Sequence, residues 1–395
     1  MAGKTVVHLN FTAGANALAS ALKRAEISTV ISDERLEKNF GNGGSAVKFI
    51  RFAEVLEECK EEMRAVGWKI RIAPLNLLCR WYGIEKDGGQ REATLLFTSG
   101  SSSEPKGVVL THRNLMSALT QLGETPLLRS DDVLLGCLPL FHSFGLTVTF
   151  WYPLMNGKKL VTLPSPLDAG GVAEACRDER ISVLLGTPTF LRHYLKKLTR
   201  EHAVALRTVV AGAEKVPTAL VKDYQEKLGL NVYEGYGLTE TSPVLSINLE
   251  HPPKNAGDDS VQVGNREGSV GRLLPGISAR LVDPETGVEG SLDKTGLLEV
   301  RGENIFGGYL GNPKATEEAF HDQWFRTGDL ARFDEEGFLF IEGRLSRFSK
   351  IGGEMVSHGA VEGALAKVIP TNPMGGPSCV VVGVPDESKG EALCC

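Results

Sequence analysis

The stretch LLFTSGSSSEPKGVVLTHRNL, residues 95–115, sets two short apolar runs on either side of a turn crowded with hydroxyls. Residues 95–97 and 108–110 read as neighbouring strands. Thr111 stands where an N-cap belongs, ahead of a helix with Leu115, Leu119 and Leu122 on one face. Between the runs lie Thr98, Ser99, Gly100, Ser101, Ser102 and Ser103, and Lys106 closes the segment behind Pro105. There is no Gly-Lys-Ser/Thr ending of a Walker loop, and GxGxxG does not fit. Small residues nevertheless let backbone N–H groups turn toward one point, the hydroxyls add donors, and Lys106 adds charge, which together suit a polyphosphate. Read alone, the same composition also suits a flexible Gly/Ser connector.

Outward from this stretch, Val-, Ile- and Leu-rich runs alternate with amphipathic patterns. TVVHL precedes a helix with Leu18 and Leu22 one turn apart, and ISTVIS follows it. ISVLLGTP leads into TFLRHYLKKL, then LRTVVAGAE, then a helix near PTALVKDYQEKLG. Such alternation predicts parallel sheets covered by helices. From about Val270, SARLVD, GLLEVRG, FRTGDLARF and FLFIEG are short strands divided by Gly, Asp and Asn. The expected fold class is therefore α/β: a large N-terminal core over residues 1–343, ending in a small β-barrel-like subdomain at about 262–343. Residues 344–395 read as a hinge and an incomplete α+β lid, with one helix in AVEGALAKV and one strand in CVVVGVP, too little to bury a core alone. HPPKNAGDDS, residues 251–260, reads as a polar loop.

The chain has 395 residues, 42% hydrophobic and 23% charged, an ordinary globular composition. A net charge of −6 without a clustered basic stripe argues against a nucleic-acid partner. Seven cysteines without CxxC spacing fit a reduced, cytoplasmic setting and neither a disulfide framework nor a zinc site. The apolar window LLGCLPLFHSFGLTVTFWYPLMNG is interrupted by Pro139, His142 and Pro153, so it reads as a buried strand and helix rather than a membrane span.

TSGSSSEPKG resembles the phosphate-binding motif of the adenylate-forming superfamily, and further motifs follow in that family's order. These are PLFHSFG (139–145), AGAE (211–214), YGLTE (236–240), RTGD (326–329) and GRLSRFSKIGGE (343–354). The resemblance implies ATP and Mg²⁺ as cofactors, a carboxylate joined to ATP as an acyl-adenylate, and transfer of the acyl group to a thiol. Two anions must meet, so such a site needs cations and donors more than a general base.

By resemblance, Thr98, Ser99, Gly100, Ser101, Ser102, Ser103 and Lys106 hold the β- and γ-phosphates. Tyr236, beside Gly237, stacks on adenine; Thr239 touches the α-phosphate; Glu240 holds the metal. Ala213 and Glu214 line the adenine edge, although Glu214 also reads as a solvent-facing residue. Asp329 accepts from the ribose hydroxyls, and Arg344 reaches the ribose or a phosphate. His142 orients the carboxylate or gates the acyl tunnel; a histidine in an apolar segment is otherwise a satisfied core residue.

LNFTAG near the start and Arg347 in GRLSRFSKIGGEMVS look like the acyl-acyl carrier protein synthetase branch, the ligase half of 2-acylglycerophosphoethanolamine acyltransferase. That branch implies a fatty acid substrate, acyl carrier protein as acceptor, and possible peripheral membrane association. A long-chain acyl-CoA synthetase using coenzyme A is the alternative, and a nucleotide-binding remnant without turnover is another. The resemblance also implies a stretch ahead of GKTVVHLN and a complete lid after GVPDESKG carrying a lysine that bridges carboxylate and α-phosphate. Lys350 and Lys389 do not stand at its place, so ATP binding with poor adenylation is expected unless a second polypeptide completes the chain. One missing charge at a developing anion costs on the order of 100-fold. Strands removed from a packed layer are expected to bare an apolar face or a sheet edge.

Overall fold

The structure is a computed structural model that describes residues 4–37, 47–84, 87–98, 105–252, 263–351, 354–365, 368–369, 379–386 and 390–395. It divides into two compact units. The first comprises Met1–Leu245, Leu274–Gly276 and Glu303–Glu318; the second comprises Ser246–Leu273, Ile277–Gly302 and Ala319–Cys395.

The first unit is built on parallel strands in the order Val232–Gly237, Thr208–Ala211, Val183–Gly186, Val133–Gly136 and Lys159–Thr162. Every residue of Val183–Gly186 and Thr208–Ala211 is buried, the continuous apolar run that a strand with both faces covered requires. Helices Ala169–Asp178, Pro188–Tyr194 and Thr218–Leu228 bring Val172, Leu191, Tyr194, Leu220 and Tyr224 into one core with Leu184 and Val209. Each large apolar side chain so buried contributes roughly 1.5–3 kcal/mol. Asp168 and Thr187 cap two of these helices by accepting the Gly171 and Phe190 N–H groups, and Gly229 ends the third in the left-handed conformation.

The opening stretch forms part of a second sheet. Glu92–Thr98 pairs antiparallel with Lys106–Thr111, Leu95 opposite Val109 and Leu96 opposite Val108, and Val6–His8 adds in parallel. Thr111 caps helix His112–Gly123 through a reciprocal box with Asn114, and Leu115, Leu119 and Leu122 are buried on its inner face. The apolar window becomes strand Val133–Gly136, a π-helical segment Phe144–Trp151 and a short helix Tyr152–Met155. Among the described residues no helix is long and apolar enough to cross a membrane. Helices Phe52–Glu58, Lys60–Ile72 and Leu75–Trp81, which the sequence reading did not single out, bury none of their residues.

In the second unit Ser278–Val282, Gly296–Arg301, Trp324–Phe333 and Leu339–Arg344, read in the sequence as short strands, pair antiparallel in succession around Val282, Leu297 and Leu330. Further along, Glu354–Ser357, Phe348–Ile351, Gly390–Cys394 and Val382–Asp386 form a four-stranded antiparallel sheet beside helix His358–Leu365. The sequence reading expected one strand here. Ile351 pairs with Glu354 across a Gly-Gly dipeptide, a two-residue hairpin signal. It went unread because the segment reads as a family motif and a hinge. Residues 253–260 of the expected polar loop lie outside the described residues.

Candidate functional site

Ser99, Gly100, Ser101, Ser102 and Ser103 lie outside the described residues, but the loop's two ends are fixed. Thr98 and Lys106 close the strand register, and the Thr98 hydroxyl donates to the Lys106 carbonyl at 3.5 Å. The Lys106 ammonium stands 4.9 Å from the centroid of the Tyr309 ring, within cation–π range. From the same ring, the Tyr309 hydroxyl donates to Glu240 Oε1 at 2.9 Å. Sequence reasoning missed Tyr309. Its signal was one of two aromatics in the glycine-rich run FGGYLGNP.

Backbone contacts hold this tyrosine. Tyr309 bridges Val108, the Leu310 N–H donates to the Gly107 carbonyl at 2.8 Å, and the Tyr309 N–H donates to Thr316 Oγ1 at 2.9 Å. Phe306 packs its ring against that of Tyr309 with centroids 4.9 Å apart, and its own N–H donates to the Glu240 carbonyl at 2.8 Å. Glu240 sits in the 3₁₀ turn Thr239–Thr241. Thr241, fully buried, accepts from the Leu238 N–H and donates to the Pro243 carbonyl at 2.6 Å, while Asn304 Nδ2 holds its carbonyl at 2.8 Å. Gly237 has no substitute here, because a Cβ on it would lie 1.7 Å from the Pro243 carbonyl oxygen.

The Ser143 hydroxyl donates to Thr239 Oγ1 at 3.4 Å, which links PLFHSFG to YGLTE. His142, the residue before it, is exposed, and its ring packs tilted against that of Phe141 with centroids 4.7 Å apart. The apolar segment around it strips water from the ring and lowers its pKa, which favours the neutral imidazole. Tyr236 is half-buried at the end of strand Val232–Gly237. Two residues earlier, Glu234 accepts from the Val216 N–H at 3.1 Å, and burial pushes its carboxyl up to about 7. Ala213 holds φ +70°, a conformation costly for a residue with a Cβ. Glu214 is exposed and its carboxylate accepts from the Thr189 hydroxyl at 2.8 Å, in keeping with the solvent-facing reading of its side chain.

Lys106, Thr239 and Glu240, with the Ser143–His142 segment joined to Thr239, thus belong to one bonded neighbourhood of the first unit. Asp329 and Arg344 belong to the second unit. They face each other in strand register, Arg344 Nε lying 2.9 Å from Asp329 Oδ1, with the carboxylate buried and the guanidinium half exposed. Thr327 braces the pair. Its hydroxyl accepts from the Asp329 N–H at 3.1 Å and donates to the Leu298 carbonyl at 2.9 Å, and its carbonyl accepts from Arg344 Nη1 at 3.0 Å. Arg347 Nη2 reaches both Glu362 oxygens, at 2.6 and 2.7 Å. Burial alone would raise the Glu362 carboxyl, but the Val381 N–H and Arg347 hold it below its ordinary range.

Among the described residues no group of three His, Cys, Asp or Glu side chains could hold a metal. A single carboxylate, Glu240, suits magnesium that arrives with most of its ligands as phosphate oxygens and water.

Comparison with known proteins gives a consistent picture. The family described as AMP-binding enzyme matches residues 1–310. Feruloyl-CoA synthase of Amycolatopsis sp is 34% identical over 301 residues, 75% of this chain and 57% of that protein. Long-chain-fatty-acid--CoA ligase of Yersinia pestis is 32% identical over 309 residues, 76% of this chain and 51% of that protein. The chain spans about half the length of these curated relatives. Among solved structures, ATP-bound MatB from Rhodopseudomonas palustris superposes with TM-score 0.75 at 28% identity, covering 98% of this chain and 71% of that one. A fatty acyl CoA synthetase of Mycobacterium tuberculosis gives TM-score 0.72 at 26% identity over 98% of this chain and 72% of that one.

Proposed function

Because this chain belongs to the AMP-binding enzyme family, we propose that it serves ATP-dependent activation of a carboxylic acid. A substrate carboxylate oxygen bonds to the α-phosphorus of ATP as the bond to pyrophosphate breaks; the sulfur of a thiol, giving up its proton, then bonds to the acyl carbon as the acyl–oxygen bond breaks and AMP leaves. In this reading the hydroxyls of residues 98–103 and Lys106 hold the β- and γ-phosphates, Thr239 meets the α-phosphate, and His142 orients the carboxylate. Tyr236 stacks on adenine along the backbone of Ala213 and Glu214, and Asp329, steadied by Arg344, accepts from the ribose hydroxyls. Glu240 would hold magnesium, whose chemistry here is to offset phosphate charge.

The observation that carries the reading is the pairing of a cation and a carboxylate on different parts of one side chain, Lys106 on the Tyr309 ring and Glu240 on its hydroxyl, Lys106 being the residue that closes the hydroxyl-rich stretch in sequence. Equilibrium binding of ATP with magnesium tests it. Saturable binding that weakens on Lys106→Ala supports the proposal, and binding indifferent to that change refutes it.

For the acid we propose a fatty acid, with aryl acids the neighbouring possibility that the feruloyl enzyme's name raises. For the thiol we propose coenzyme A, the acceptor in both curated names. Residues 344–395 we read as hinge and lid, and Arg347 there is the feature that favours a carrier-protein acceptor instead. A thioester assay offering coenzyme A and acyl carrier protein side by side separates the two.

A further inference from the structure

We infer that Tyr309 is a positioning residue that keeps Lys106 and Glu240 from neutralising each other, so that one remains available to phosphate and the other to a divalent cation. The inference rests on the ATP-dependent reading above. Lys106 and Glu240 both contact one side chain, and two opposite charges so placed would otherwise be drawn into an ion pair that masks both. The ring face takes the ammonium and the hydroxyl takes the carboxylate. Neither interaction cancels a full charge. Tyr309 is held by groups assigned no part in nucleotide binding: Phe306 packs against its ring, Thr316 Oγ1 accepts from its backbone N–H, and its backbone and that of Leu310 pair with Val108 and Gly107. It can therefore act as a fixed spacer.

Two variants of the intact chain separate the two contacts. Tyr309→Phe keeps the ring and removes the hydroxyl; Tyr309→Leu removes both. Calorimetric titration with ATP, with and without magnesium, is expected to show Tyr309→Phe within about twofold of the parent without metal but losing about threefold to tenfold of the gain that magnesium gives, the worth of one hydrogen bond. Tyr309→Leu is expected to bind about tenfold more weakly under both conditions. A second readout needs no nucleotide: the melting shifts of Tyr309→Phe and Glu240→Gln should be non-additive in the double variant, since each removes the same bond. ATP and magnesium titrations that match the parent for both variants, or strictly additive melting shifts, overturn the inference. A parent chain with no saturable ATP binding overturns the activation reading instead, and the melting cycle still reports on the Tyr309–Glu240 contact. Should Tyr309→Leu fail to fold, Tyr309→Phe decides by the same titrations.

Discussion

Lys106 rests on an aromatic face, a weaker partner than a carboxylate, and this leaves its charge ready for an anion. Lys106→Ala should weaken ATP binding about 10- to 100-fold, the worth of one or two charge-assisted hydrogen bonds, as read by calorimetry. Asn114 is a second residue whose work exceeds its apparent place. It completes the Thr111 capping box, and its Nδ2 donates to the Glu303 and Ile305 carbonyls at 2.9 and 2.7 Å, tying helix His112–Gly123 to the segment that carries Tyr309. Asn114→Ala leaves the buried Ile305 carbonyl and the part-buried Glu303 carbonyl without that donor and should cost about 2–3 kcal/mol in urea denaturation, against about 1 kcal/mol for Thr111→Ala. Equal losses from the two would contradict this division of labour.

Strand Val232–Gly237 delivers both Tyr236 and the turn with Glu240, and it also carries Glu234, whose carboxyl burial pushes up to about 7. A raised carboxyl binds its proton more tightly folded than unfolded, so stability falls as pH rises from the ordinary carboxylate range toward about 7. Glu234→Gln should flatten that decline and melt above the parent at pH 8; a parallel pair of melting curves would contradict it. At the start of strand Val133–Gly136 the sign reverses. Burial would raise the Asp132 carboxyl, but Arg207, Ser182 and the Arg129 N–H together lower it, so its contribution is present above the unfolded pKa and lost as acid titrates through the folded one. Asp132→Asn leaves Arg207 without its buried partner and should cost about 3–5 kcal/mol near neutrality, with the deficit shrinking in acid. Elements of this kind were legible in the chain itself. Val183–Gly186 and Thr208–Ala211 announce themselves as continuous apolar runs, and Thr111 announces its helix, because local pattern and tertiary burial agree there. Tyr309 and the hairpin at Phe348–Ile351 were not legible. The first matters through a hydrogen bond to a residue 69 positions away, which no local pattern records. The second hid its turn signal inside a charged motif.

At the scale of the molecule, among the described residues, helices Phe52–Glu58, Lys60–Ile72 and Leu75–Trp81 carry a run of exposed apolar side chains, with Trp68 67%, Ile72 73% and Leu75 76% exposed. Surfaces of this character promote association, so the chain should bind an apolar fluorescent dye and sediment with a concentration-dependent mass. Trp68→Ser with Leu75→Ser should reduce both, and a strictly monomeric, dye-silent parent would contradict the expectation. The motif order from TSGSSSEPKG to GRLSRFSKIGGE made the family legible over nearly the whole chain, whereas the acid and the thiol acceptor depend on pocket shape and docking surfaces that no motif encodes. The claim on which the account rests is that residues 98–106 grip a nucleotide's terminal phosphates. Calorimetric titration of the chain with ATP and with AMP, in parent and Lys106→Ala, tests it most directly: the account predicts that ATP binds more tightly than AMP and that Lys106→Ala narrows the difference. Equal affinity for the two nucleotides in the parent, or a preference for ATP left unchanged by the loss of Lys106, would contradict it.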